Sequence, residues 1–130
     1  AALADAALEP GQIGYVNAHA TATDGGDVIE AAALREVFGD GPEAARVSST
    51  KSVHGHLIGA TSALELLLTV VAMQRGLLPA SAHLGQPDPR CGLNHVGERP
   101  LAGHPIDHAL SFSCGFGGTN VALIVSRGQP

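Results

Sequence analysis

Three short runs of strand character, Ile13–Ala18, Arg46–Ser49 and Ala109–Ser113, each break off in a polar or glycine-rich loop, and tracts of helical length separate them. That order constrains the fold more than any other property of the chain. Short runs of this kind bounded by turn residues read as strands with a buried face. After the first run, Asp24 or Asp27 can cap a helix whose apolar positions Val28, Ala31, Ala32, Leu34 and Val37 carry it to about Phe38, with Gly39 as its stop. After the second run, Thr50 to Gly55 is predicted loop, and His56 opens a tract to Gln74 that is apolar nearly all round. Such a tract predicts a helix covered on several sides. Gly76 to Pro105 is rich in proline and lacks periodicity, so it reads as irregular connection with a short extended piece near Leu93 to Val96. The chain closes with Ala109–Ser113 and Val121–Val125 joined by a tight turn over Cys114–Asn120. Strand, helix, strand, helix and two strands predict an α/β fold with a mixed sheet, the helices acting as crossovers and the last two strands as an antiparallel edge pair.

Composition narrows the function classes. With 130 residues, 45% of them hydrophobic, the chain has enough apolar material for one core. A net charge of -5, arginines scattered without a stripe, and only three Phe, one Tyr and no Trp argue against a nucleic-acid partner. The most apolar stretch, Leu57 to Met73, contains Glu65 and three hydroxyl residues and is too short and wet for a membrane span. Cys91 and Cys114 fit neither a CxxC pair nor a disulfide framework, and no secretory leader is visible, so a reducing cytoplasm is expected. Ala1 to Leu8 reads as the tail of a helix that ends at Pro10-Gly11, as if the chain opened part-way through something larger.

Lys51 is the only lysine; every other basic residue is arginine. An ammonium is a compact charge with rotatable donors, so its single use beside two histidines points to chemistry before solvation. It lies in the second of three loops that follow strand ends: Asn17-Ala18-His19-Ala20-Thr21-Ala22-Thr23, Ser49-Thr50-Lys51-Ser52-Val53-His54-Gly55-His56, and Gly115-Phe116-Gly117-Gly118-Thr119-Asn120. In open α/β sheets ligands bind beyond the carboxyl ends of strands, which lets three such loops converge on one site. The third loop lacks a P-loop lysine and leads into a strand, which argues against a nucleotide cradle. His54, His56, His19 and Asp27 make a zinc site only if they converge, and no metal is expected. His83, His95, His104 and His108 fall in the loop-rich half and read as solvated. Cys114 next to Gly115 reads as a small buried hydrophobe at a strand end.

In that order the three loops resemble the C-terminal part of β-ketoacyl-acyl-carrier-protein synthases of the elongating type, condensing enzymes of the thiolase superfamily. The resemblance runs over the whole of residues 1–130, about the last third of the family's usual length, and implies a thiolase-like fold that is incomplete on its own. It also implies that His19 and His56 are the two active-site histidines and Lys51 the lysine that supports them. Two imidazole donors aimed at a thioester oxygen would stabilise the enolate that forms when a malonyl thioester loses carbon dioxide, as an oxyanion hole does. By the same resemblance Glu30 would pair with Lys51 and Asp27 would join that network. Thr21 and Thr23 would bond the phosphopantetheine arm, and Phe116 would gate the acyl pocket and lend its N–H to the oxyanion hole. Gly117 and Gly118 would then let backbone approach substrate.

Two positions depart from the family pattern: Ala20 replaces the usual Gly, and Cys114 stands where Phe is common. The family's nucleophile is a cysteine lying upstream of this segment, so neither Cys91 nor Cys114 is its counterpart and the 130 residues alone are expected to be inactive. The resemblance implies no tightly bound cofactor. It implies acyl carrier protein as partner, its phosphopantetheine arm bringing the substrate, together with the N-terminal ketosynthase half and a homodimer or ketosynthase heterodimer. The competing expectations are a non-catalytic chain-length-factor subunit, a degradative thiolase and a truncated inactive product. Retention of His19, Lys51 and His56 argues against the first, and the Gly-Phe-Gly-Gly-Thr-Asn ending against the second.

Overall fold

A computed structural model describes residues 1–128. A one-turn helix α1 (Ala2–Asp5) and a 3-10 turn at Pro10–Gln12 lead into β1 (Tyr15–Asn17), followed by α2 (Asp24–Phe38), β2 (Arg46–Ser48) and the single-turn α3 (Lys51–His54). A 3-10 turn at Ile58–Ala60 precedes α4 (Thr61–Arg75). The short strands β3 (Leu77–Leu78) and β4 (Leu101–Ala102) pair with each other, and β5 (His108–Cys114) and β6 (Asn120–Ser126) close the chain.

The main sheet has the order β2-β1-β5-β6. β1 runs parallel to β2 and to β5, Val16 lying opposite Val47 on one side and Leu110 on the other, while β5 and β6 are antiparallel. The mixed sheet with an antiparallel edge pair therefore stands as the sequence predicts. The extended piece at Leu93–Val96 also forms: Val47 N–H donates to Asn94 O and Val96 N–H to Val47 O, so this segment flanks β2. On one face of the sheet Ile13, Val16, Ala18, Leu34, Ala45, Val47 and Leu110 pack together, and a second cluster gathers Tyr15, Met73, Leu78, Val96, Ile106 and Ala109. Alternation along β1 explains the split, since neighbouring residues in a strand point to opposite faces.

Two readings of the helices are corrected. Lys51–His54 is helical where loop was predicted, and His56 precedes α4 instead of opening it. The expectation of a helix covered on several sides also fails. The buried stripe of α4 is Thr61, Glu65, Thr69, Ala72 and Met73, spaced about a turn apart, whereas Leu67 is 64% exposed. Its most buried positions are thus largely polar, because they meet polar groups at the ends of β1 and β2. Asn17 Nδ2 reaches Glu65 O, Thr69 Oγ1 and Thr50 Oγ1 at 3.2, 3.3 and 3.4 Å. The helix stops at Gly76, whose φ of 58° is left-handed and whose missing Cβ lets His104 O approach.

Candidate active site

The carboxyl ends of β1, β2 and β5 place the three loops side by side. His19 follows β1 by two residues, Lys51 begins α3 three residues past β2, and Cys114 ends β5. The rings of His19 and His56 stand edge to face with centroids 5.6 Å apart. Both line a hollow of about 190 Å3 with Ile58, Thr61, Ser62, Ser113, Cys114, Gly115, Thr119 and Val121. A larger cleft of about 460 Å3 shares His56 and has Thr21, Asp27, Glu30, Lys51 and Ser52 on its walls. Six of the residues singled out from sequence, His19, Thr21, Asp27, Glu30, Lys51 and His56, therefore line these two cavities.

The partnership expected between Glu30 and Lys51 is not formed. Glu30 instead accepts the backbone N–H groups of His19 and Ala20, at 2.7 and 2.8 Å, and so fixes the backbone that carries the first histidine. Lys51 Nζ lies 2.5 Å from Glu65 Oε1, with the two side chains 5% and 0% exposed. Physical necessity explains the choice. A buried ammonium needs a carboxylate in contact, and α4 packs Glu65 against α3 while both oxygens of Glu30 are engaged elsewhere. Glu65 was missed in the sequence, although a lone carboxylate inside the Leu64–Leu68 run was a signal.

Burial pushes the Glu65 and Glu30 carboxyls above the usual carboxylate range; Lys51 contact and the two backbone donors act in the opposite sense. His19 is pushed below its ordinary value, first by burial, then by the Lys51 charge and by His56, so near neutral pH it is an uncharged imidazole. His19 Nδ1, Asp27 Oδ1 and Glu65 Oε2 are buried without a hydrogen-bond partner. Unpaired polar atoms in a folded interior are costly, and their concentration here marks a place built for use instead of for stability. His56 Nδ1 lies 2.9 Å from Thr61 Oγ1 and accepts the Ile58 N–H at 3.2 Å.

The other sequence candidates are placed less centrally. The hydroxyls of Thr21 and Thr23 touch each other at 3.3 Å on the loop after His19, Thr21 half-buried and Thr23 exposed. Phe116 is fully exposed at the tip of the β5–β6 turn and lines neither cavity; Gly117 and Gly118, at φ 78° and 82°, supply the left-handed backbone that makes the turn. Ala20 occupies φ 26°, a region that alanine disfavours and glycine tolerates. Among the described residues no three His, Cys, Asp or Glu groups come together in a way that could hold a metal ion, and no helix is long and apolar enough to cross a membrane.

Residues 1–85 match the family described as the β-ketoacyl synthase C-terminal domain. The chain belongs to that family. A 3-oxoacyl-[acyl-carrier-protein] synthase 2 of Coxiella burnetii is 42% identical over 125 residues, covering 96% of this chain and 30% of that protein. Nodulation protein E of Rhizobium leguminosarum bv. trifolii is 43% identical over 121 residues, covering 93% of this chain and again 30% of the relative. Among solved structures, a β-ketoacyl synthase from Burkholderia phymatum STM815 superimposes with a TM-score of 0.91 at 38% identity, over 98% of this chain and 30% of that one. The ishigamide ketosynthase/chain length factor gives 0.92 at 32% identity, over 98% and 31%. This β-ketoacyl synthase domain thus has part of a thiolase-like fold and spans about 30% of the length of the relatives it matches.

Proposed function

We propose that residues 1–130 are the C-terminal portion of a β-ketoacyl-acyl-carrier-protein synthase and contribute its decarboxylation machinery to fatty-acid or polyketide elongation. The observation that carries this reading is the pair of imidazoles, 5.6 Å apart in one hollow at the strand ends, beside the buried Lys51–Glu65 pair. Decarboxylation breaks the bond between C2 and the carboxylate of a malonyl thioester, and the electron pair moves onto the thioester oxygen as an enolate. His19 and His56 donate to that oxygen; an uncharged His19 suits a donor whose partner is gaining charge. C2 of the enolate then attacks an acyl thioester, and a thiolate leaves.

In this reading the acyl group is carried by a cysteine of the N-terminal ketosynthase half, and neither Cys91 nor Cys114 takes that part. Burial raises both thiols, which makes them poor nucleophiles. Thr21 and Thr23 hold the phosphopantetheine arm of acyl carrier protein, and Phe116, carried on the left-handed Gly117-Gly118 turn, gates an acyl pocket that residues 1–128 do not enclose by themselves. One structural relative supports such a partner, a type II polyketide acyl-carrier protein in complex with its ketosynthase. The chain-length-factor alternative keeps the fold but not the need for both imidazoles.

The test is release of labelled carbon dioxide from malonyl-acyl-carrier protein by a full-length synthase containing this domain. His19→Ala or His56→Ala is expected to lower turnover by about 10²–10³, the usual effect of losing one oxyanion donor. The isolated 130 residues are expected to show neither decarboxylation nor acyl transfer. Unchanged turnover in both histidine variants would overturn the assignment.

A further inference from the structure

We propose that Thr61 is a positioning residue that holds His56 with its proton on Nε2. The inference rests on the reading of His56 as a donor to substrate, but its geometric basis is independent of that reading. Two groups meet His56 Nδ1: the Ile58 backbone N–H at 3.2 Å and the Thr61 hydroxyl oxygen at 2.9 Å. A backbone N–H can only donate, so Nδ1 must offer its lone pair. A neutral imidazole with an accepting Nδ1 carries its hydrogen on Nε2. The Thr61 hydroxyl, which can donate or accept, must then donate as well. Nε2–H is left without either of these partners and is free to donate to a ligand in the hollow that His56 shares with His19.

Three features indicate that Thr61 serves the histidine instead of its own helix. It is the first residue of α4, one position past the N-cap Ala60, so its hydroxyl is not the group that caps the helix. Its side chain is buried, the residue being only 3% exposed, so the hydroxyl has no ready access to solvent. Ile58 holds φ 50°, an unfavourable conformation for a β-branched residue, and that conformation delivers the N–H to the same ring nitrogen. The stretch from Ile58 to Thr61 is thus shaped around His56 Nδ1, and threonine adds a second donor that any side chain without a hydroxyl would lack.

Nitrogen-detected spectra of histidine in the 15N-labelled chain, at a pH of about 9 where an ordinary imidazole is neutral, read the tautomer directly. The wild-type chain is expected to show His56 with its proton on Nε2. Thr61→Val, which keeps the shape and removes the donor, is expected to lower the ratio of Nε2–H to Nδ1–H forms by about tenfold, the weight of one net hydrogen bond. Thr61→Ser should restore it, and His95 and His108 should be unchanged in both. An unchanged ratio in Thr61→Val, or a serine variant no better than the valine one, overturns the proposal. If Thr61→Val does not fold, the wild-type spectrum decides: a proton on Nδ1 overturns it, and a proton on Nε2 with the Thr61 hydroxyl protected from exchange supports it. Loss of this signature leaves the decarboxylation reading standing, whereas unchanged turnover in both His19→Ala and His56→Ala would sink that reading and leave the tautomer of the wild-type His56 as measured.

Discussion

At the scale of single residues the site is costly to build, and each cost can be tested. Ala20 at φ 26° carries strain that glycine does not, while its N–H to Glu30 survives the change. Ala20→Gly is therefore expected to raise the unfolding free energy by about 0.5–1 kcal/mol in urea titration, relief of left-handed strain outweighing the added entropy of the unfolded chain. The titratable groups make a second prediction. With Glu30 and Glu65 raised above 4.5, the folded chain holds protons the unfolded chain has released, so their contribution to stability falls as pH rises from 4.5 through the raised values. His19, lowered below 6.5, acts oppositely: below that pH the unfolded chain takes up a proton the folded chain refuses, so stability falls as pH drops. Urea midpoints measured between about pH 5 and 8 should thus fall less steeply on the acid side in His19→Asn, and less steeply on the alkaline side in Glu30→Gln.

At the scale of elements, the contact that fixes the site is between α3 and α4. Lys51 and Glu65 are both buried, so removing one leaves the other as an uncompensated charge. Lys51→Met is expected to cost about 3–5 kcal/mol, and the double variant Lys51→Met with Glu65→Leu to recover most of it, as a double-mutant cycle by chemical denaturation will show. Element boundaries explain what the sequence disclosed. Strand ends and helix stops were legible because turn residues and glycines punctuate them, as at Gly39 and Gly76. The buried face of α4 was not legible. Leu64, Leu66, Leu67 and Leu68 outnumber Thr61, Glu65 and Thr69, yet the polar stripe faces inward because its partners, Asn17 and Lys51, come from distant segments.

At the scale of the whole molecule, the sheet is protected on one edge and open on the other. β2 is flanked by Asn94–Val96, whereas β6 pairs only with β5 among the described residues. Ile58, Leu67, Val71, Val121 and Leu123 also expose apolar surface. An unpaired strand edge with exposed apolar side chains favours association. The 130-residue chain is expected to sediment as concentration-dependent oligomers, and Leu67→Glu with Leu123→Lys to shift it toward monomer; a wild-type monomer at all concentrations would contradict this.

By itself the sequence determined the order of elements, the mixed sheet and the three loops that meet at its strand ends, because turn chemistry and periodicity are local properties. It also carried the motif order by which His19, Lys51 and His56 are recognised. Only the tertiary structure decided which groups those residues touch. Glu30 holds the backbone of His19, Glu65 holds Lys51, and Thr61 meets His56. A buried charge or lone pair takes whichever partner packing brings within about 3 Å, and separation along the chain carries no measure of that distance.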